Sequence, residues 1–354
     1  MTELSPDDHL QWIDAWRRDA EQRFLEADGD DPSPTVVAVI SDVHANLSGL
    51  MTVLRSAWAN GATEVWCLGD VVGRGPNAAE CVEVLSRLGR ILLPIWLMGN
   101  HEAAMLSLPS APRERMDANS WNIVRRHQAD CQRFVIVTSP LPGLITRAWP
   151  DHSIREATPG GPVAFAVHGG GSTSDRRPAD IDNQEQDLTT TSEHGNSGRM
   201  LRYIDTPDDA ADLFRDGMEI AKSSGKVAPS ILLAGHTHVP RIFKWRRIGT
   251  LARPEAVDPV VFGHEYAFGD LPVFLNPGTC GGWSRDSTTP STTYILLTFQ
   301  ATRSSYMFVQ CAANYDAERL QMRSLGYPER TSAQLHDSAA ETQVIRAVRE
   351  TDSR

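Results

Sequence analysis

What this chain lacks narrows it first. No run of residues approaches the ~20 consecutive apolar positions needed to span a bilayer, so no membrane helix is expected. The acidic start Met1-Thr2-Glu3-Leu4-Ser5-Pro6-Asp7-Asp8 has no apolar stretch of the secretory kind, which argues against export and for the cytoplasm. Only 5 cysteines occur in 354 residues, and Cys67, Cys81, Cys131, Cys280 and Cys311 are widely spaced. Reduced core thiols are expected, not a disulfide framework. A net charge of −11 with no clustered Lys and Arg argues against general nucleic-acid binding, which needs basic groups opposite phosphates. With 41% hydrophobic and 22% charged residues the composition is that of an ordinary globular protein.

What is present is an alternating pattern. Ser5, Pro6 and Asp8 form a helix start, and Leu10, Ile13, Trp16, Ala20 and Phe24 follow at helical spacing, giving an accessory helix over 5–26. An acidic linker, 27–34, follows. Strands are then expected at Val36–Ser41, Glu64–Leu68, Ile91–Met98, Val163–Val167 and Ile231–Ala234. Helices are expected at Leu47–Ala59, Ala78–Leu88, within Arg113–Arg133, and at Pro207–Lys222 with Thr206 as cap and Gly225 after its end. Beyond His238 the pattern turns to strands alone, at Arg241–Trp245, Val273–Leu275, Thr293–Phe299 and Tyr306–Cys311. Two tail helices are expected, at Ala317–Leu325 and Ser332–Arg349. This order predicts an α/β fold in which two packed mixed β-sheets, a β-sandwich, are flanked by helices. The expected organisation is an N-terminal accessory helix and linker over 1–34, a catalytic domain over 35–312 and a helical extension over 313–354. Two segments read as insertions: Gly169–Arg199, polar and suited to a cover over a site, and Gly249–Asp270, similar but carrying Phe262, Tyr266 and Phe268.

Five short stretches sit just after the apolar runs: Asp42-Val43-His44, Gly69-Asp70, Gly99-Asn100-His101-Glu102, His168-Gly169 and Gly235-His236-Thr237-His238. Loops at the carboxyl ends of parallel strands are where open α/β sheets bind ligands. Asp42, His44, Asp70, Asn100, His168, His236 and His238 can therefore converge on one edge, enough for two metal ions sharing a carboxylate. Asp42 and His44, two apart at a strand end, are expected to face the same side. Asp70 has two oxygens with which to bridge. Glycines precede Asp70, Asn100 and His236, where backbone must turn sharply near the ligand. The Asp, Asn and His set, without thiolates, suits Mn²⁺ or Fe, with Zn²⁺ compatible.

In this order the set resembles the calcineurin-like metallophosphoesterase superfamily, over about Val36 to Cys311. The stretch Gly69-Asp70-Val71-Val72-Gly73-Arg74-Gly75-Pro76-Asn77, with Asn276-Pro277-Gly278, is similar to a bacterial branch of phosphodiesterase-, diadenosine-tetraphosphatase- and protein-phosphatase-like members. The resemblance implies Asp42, His44, Asp70 and His238 on one metal, and Asp70, Asn100, His168 and His236 on the other. It also implies a bridging hydroxide as nucleophile and His101 as the acid that protonates the leaving oxygen. Protein phosphatases carry an Asp that orients this His where the present chain has Gly73; Glu102 is the candidate substitute. Arg74 matches their phosphate-binding arginine.

The expected function is thus dinuclear-metal-dependent hydrolysis of phosphate esters, monoesters favoured, with Asp70, His101 and Arg74 taking part in the chemistry. A phosphorylated substrate is the expected partner. A phosphodiesterase or nuclease, or a dinucleoside polyphosphate hydrolase, is the alternative. A non-catalytic scaffold would have lost ligands, and here every expected position is filled.

Overall fold

A computed structural model of the chain describes residues 6–26, 34–106, 123, 125–127, 129, 152–158, 160–169, 203–283, 292–300 and 304–338. Helix α1 (Pro6–Glu26) precedes strand β1 (Thr35–Ile40), α2 (Leu47–Ala59), β2 (Glu64–Cys67), α3 (Ala78–Leu92), β3 (Ile95–Trp96) and α4 (Asn100–Leu106). Then come β4 (His152–Glu156), β5 (Val163–Val167), α5 (Pro207–Ser223) and β6 (Ile231–Leu233). The remainder is β7 (Arg241–Ile248), β8 (Leu251–Ala256), β9 (Glu265–Ala267), β10 (Val273–Asn276), β11 (Thr293–Phe299), β12 (Ser305–Gln310), α6 (Asp316–Ser324) and α7 (Glu329–Ala333).

These strands form two sheets of six, in the orders β3-β2-β1-β11-β12-β9 and β4-β5-β6-β10-β7-β8. Each is mixed. β1, β2 and β3 run parallel in the first sheet, and β5, β6 and β10 in the second. The β-branched runs are what a strand buried on both faces requires. In β1, Val37 and Val39 face the second sheet, meeting a layer with Ile231, Leu233 and Leu275. Val36, Ala38 and Ile40 face the other way, onto α2 and α3. On the far side of the second sheet, Phe165, Leu232 and Phe274 meet Ala210 and Leu213 of α5. Helices thus cover both outer faces of a sandwich.

Ile13, Trp16 and Ala20 set α1 into the same apolar cluster as α2 and α3, and the Trp16 indole N–H donates to the Ala62 carbonyl at 2.9 Å. Phe24 does not join that face; it is exposed. Thr206 caps α5 in a reciprocal capping box with Asp209. Cys67, Cys81, Cys280 and Cys311 are buried free thiols, and Cys131 lies outside the described residues. Among the described residues no helix is long and apolar enough to cross a membrane.

The structure corrects several sequence expectations. The third strand is only Ile95–Trp96, because Ile91 and Leu92 complete α3 beyond the break at Gly89 (φ 68°). A short apolar run does not by itself distinguish strand from helix. Gly249–Asp270 is not a structureless insertion. It closes the β7–β8 hairpin and supplies edge strand β9, and Tyr266 stacks on Tyr306. No helix starts at Ser332: α7 ends at Ala333, and Leu335 and Ser338 make isolated bridges to Trp283 and Ala313. Most of Arg113–Arg133, residues 170–199 and the tail beyond 338 lie outside the described residues.

Candidate metal centre

The parallel strands of both sheets open toward one edge, and the loops leaving β1, β2, β3, β5 and β6 meet there. The backbone in these loops is unusual. Asp42, His44, Asp70, His236 and His238 take φ of 55°, 48°, 53°, 67° and 58°, a left-handed conformation that few non-glycine residues adopt. Each such residue costs on the order of 1–3 kcal/mol and persists only where the surroundings impose it. Asp42 and His44 lie past the end of β1, so this backbone, and not strand alternation, turns both side chains inward. The strand-end glycines allow close approach. A Cβ on Gly99 would stand 2.1 Å from Asp70 Oδ1, and one on Gly235 would stand 2.8 Å from Asp42 Oδ2.

In the first group, Nε2 of His44 and Nε2 of His238 face each other at 2.8 Å. Asp42 Oδ1 lies 3.2 Å from His238 Nε2, and it is buried with no hydrogen-bond partner. The opposite nitrogens settle the tautomers. His238 Nδ1 meets the Trp283 carbonyl at 2.6 Å, and His44 Nδ1 meets that of Val72 at 3.3 Å. A carbonyl only accepts, so each Nδ1 carries the hydrogen and each Nε2 presents a lone pair. Burial, with the His101 and His238 rings nearby, holds His44 well below its ordinary value and so neutral. Two lone pairs and a carboxylate oxygen converging at these distances repel one another unless a cation lies among them.

In the second group, Asp70 Oδ2 lies 3.1 Å from His168 Nε2 and 3.8 Å from His44 Nε2. Asp70 Oδ1 accepts the His101 amide at 2.9 Å. A single oxygen of Asp70 therefore faces both groups, where two bridging oxygens were expected. Asn100 Oδ1 is 3.1 Å from His168 Nε2, and His168 Nδ1 is fixed by the Leu68 carbonyl at 3.0 Å. Burial opposes charge on His168, but the surrounding carboxylates, Asp70 first and then Asp42 and Glu102, together outweigh it and hold the ring up at about 9. This is a spot that demands positive charge. Asp70, His168 and His236 place ligand atoms within 4.8 Å of one another, as do Asp42, His44 and His238. The residues present fit two divalent cations.

The family model for calcineurin-like phosphoesterases matches residues 35–268. The chain belongs to that family. A metallophosphoesterase from Sphaerobacter thermophilus is 24% identical over 85% of this chain and 98% of its own, with a TM-score of 0.53. A hypothetical protein from Pyrococcus horikoshii OT3 gives 12%, 86%, 98% and 0.52 for the same measures. Both share the fold. Among curated relatives, an uncharacterized protein of Methanocaldococcus jannaschii is 41% identical over 76 residues, 22% of this chain and 30% of that protein. A symmetrical bis(5'-nucleosyl)-tetraphosphatase of Buchnera aphidicola is 26% identical over 104 residues, 29% of this chain and 37% of that protein. The matches span about a third of the length of these curated relatives.

Within this calcineurin-like site, His101 stands edge-on to His44 with ring centroids 4.7 Å apart, and Gly73 lies directly against it: a Cβ there would be 2.2 Å from Nδ1. Glu102 does not orient His101. Its buried carboxylate accepts the amides of Asp70 and Gly99 at Oε2 and of Val72 at Oε1, tying the loops after β2 and β3 together. Burial and the Asp70 charge push Glu102 up to about 7 against the Val72 and Gly99 amides. Arg74 Nη1 donates to Gln334 Oε1 at 3.1 Å, and its charge is felt at His44.

Sequence reading missed the supports. Asn276 Nδ2 donates to the Gly235 carbonyl at 2.8 Å and to Thr237 Oγ1 at 3.0 Å, holding the loop of His236 and His238. The Tyr203 ring stacks on His236 at 4.4 Å. Buried His127 reaches the Gly73–Gly75 loop. Asn276-Pro277-Gly278 was a visible signal with no role attached to it; Tyr203 and His127 had none.

Proposed function

We propose that this chain hydrolyses phosphate esters with two divalent cations, one held by Asp42, His44, Asp70 and His238 and the other by Asp70, Asn100, His168 and His236. The observation that carries this reading is the convergence of the His44 and His238 Nε2 lone pairs at 2.8 Å beside an unpartnered Asp42 oxygen. Such ions supply Lewis-acid stabilisation of the phosphoryl group and a nucleophile at neutral pH. Mn²⁺ or Fe suits the oxygen and imidazole donors best, and Zn²⁺ remains compatible.

The chain's own residues do the rest. Asp70 Oδ2 faces both ligand groups and would be the carboxylate the two cations share. His101 stands beside the first site and serves as the acid that protonates the departing oxygen. Arg74, on the loop after β2, offers a planar fork of donors to the phosphate oxygens. A terminal phosphate presents more of these oxygens and more charge, so monoesters are favoured. The chemistry lies within 35–312, with 1–34 and 313–354 as attached segments. The buried free thiols and the net charge of −11 fit a cytoplasmic enzyme acting on a phosphorylated molecule other than nucleic acid.

The relative named as a bis(5'-nucleosyl)-tetraphosphatase favours a second reading, cleavage of a dinucleoside polyphosphate. Turnover of p-nitrophenyl phosphate against bis-p-nitrophenyl phosphate and a dinucleoside tetraphosphate, by metal-stripped protein given Mn²⁺, separates the readings. Preference for the first compound supports monoester hydrolysis, and no turnover of any of them overturns the assignment.

A further inference from the structure

Arg74 is held from behind by groups that the metal constellation does not include. Its own φ is 53°, and glycines flank it on both sides. His127, almost fully buried, grips both neighbours: Nδ1 accepts the Gly73 amide at 3.2 Å, and Nε2 donates to the Gly75 carbonyl at 2.8 Å. The two contacts require one tautomer, with the hydrogen on Nε2. The hydroxyl of Tyr327 donates to the same Gly75 carbonyl at 3.0 Å and lies 3.2 Å from His127 Nε2. Gln334 accepts from the guanidinium itself. Tyr327 and Gln334 come from the C-terminal extension, anchored by the Tyr327 ring in a cluster with Trp283, Tyr315 and Leu335.

We infer that His127 and Tyr327 are positioning residues for phosphate recognition, clasping the Gly73–Gly75 loop so that Arg74 and the His101 ring resting on Gly73 keep their places at the metal centre. The inference rests on the phosphoesterase reading and on the role given there to Arg74. Its physical basis is the flexibility of the loop. Glycines at 73 and 75 give it wide conformational freedom, and a left-handed arginine between them returns to ordinary backbone unless something outside holds it. An imidazole that accepts on one side of Arg74 and donates on the other does so with a rigid ring. The C-terminal extension thereby becomes a working part of the site.

The test is a double-mutant cycle on the full Mn²⁺-loaded chain with p-nitrophenyl phosphate, with melting temperature and metal content measured for every variant. His127→Leu removes both loop contacts; His127→Gln keeps one acceptor and one donor; Tyr327→Phe keeps the packed ring and serves if His127→Leu does not fold. The expected losses in kcat/KM are about ten-fold for His127→Leu and about three-fold for Tyr327→Phe, with His127→Gln between His127→Leu and wild type. Adding Arg74→Ala to His127→Leu or Tyr327→Phe should cost less than it does in wild type, because an arginine already released has less to lose. Folded, metal-loaded variants with wild-type kinetics, or losses that simply multiply, overturn the clasp while leaving the phosphoesterase reading intact. An Arg74→Ala enzyme as fast as wild type overturns the phosphate-binding role and the inference with it.

Discussion

Nε2 of His44 and Nε2 of His238 lie 2.8 Å apart although they belong to loops from different sheets, 194 residues apart in the chain. Each ring is turned by a backbone carbonyl on its far side, Val72 for His44 and Trp283 for His238. The sandwich brings two strand ends together, and the carbonyls decide which ring nitrogen faces the centre. Metal affinity and turnover should therefore depend on the loops as much as on the ligands.

His101 tests the division between binding and chemistry. His101→Ala should keep its metal and lose hydrolysis of an alkyl phosphate by ~10²–10⁴-fold, the usual contribution of a general acid. p-Nitrophenyl phosphate, whose leaving group needs little protonation, should lose far less. An equal loss on both substrates, measured as kcat, would remove the acid role.

Arg74 tests the substrate class. A charge-assisted pair contributes about 1.5–3 kcal/mol, so Arg74→Ala should slow monoester turnover roughly ten- to a hundred-fold and diester turnover less. Parallel kcat/KM measurements at one pH and with one metal check this. Unchanged monoester kinetics would make it a surface arginine and move the diesterase alternative ahead.

Gly99 tests the loop geometry. An alanine there brings Cβ to 2.1 Å from Asp70 Oδ1, so the carboxylate must move. Gly99→Ala should retain the far-ultraviolet dichroism of the wild type and lose bound metal. Full metal occupancy in a folded Gly99→Ala chain would contradict the tight approach of the loops after β2 and β3.

His127 gives a pH dependence. Burial lowers it to about 4 from an ordinary value of 6.5, so between those values the unfolded chain binds a proton that the folded chain does not. Stability from this group is intact above pH 6.5 and falls as the pH drops toward 4, by on the order of 3 kcal/mol in all. Urea unfolding of His127→Gln should show a shallower decline over that window than wild type. Parallel declines would mean that the ring is protonated in the fold.

The sandwich was legible in the sequence where strands are apolar and buried. Leu47–Ala59, Val163–Val167 and Thr293–Phe299 have the bounds expected of them. Edge strands were not legible. His152–Glu156 and Leu251–Ala256 carry charged and polar side chains, since neither face of either strand is buried, and so give no apolar signal. The seven candidate ligands were legible because their residue types and order survive in one dimension. Their supports were not, because a carbonyl such as that of Trp283 belongs to every residue alike. Glu102 was noticed and given the wrong task, since nothing in its position tells whether it faces a ring or three amides.

Asp70 offers the most direct measurement. Metal-stripped protein should be titrated with Mn²⁺ while bound metal per chain and p-nitrophenyl phosphate turnover are followed together, in wild type and in Asp70→Asn. The prediction is two ions per wild-type chain, turnover that rises with their occupancy, and loss of both occupancy and turnover in Asp70→Asn. Two ions per chain together with wild-type turnover in Asp70→Asn would contradict a site built around one shared carboxylate.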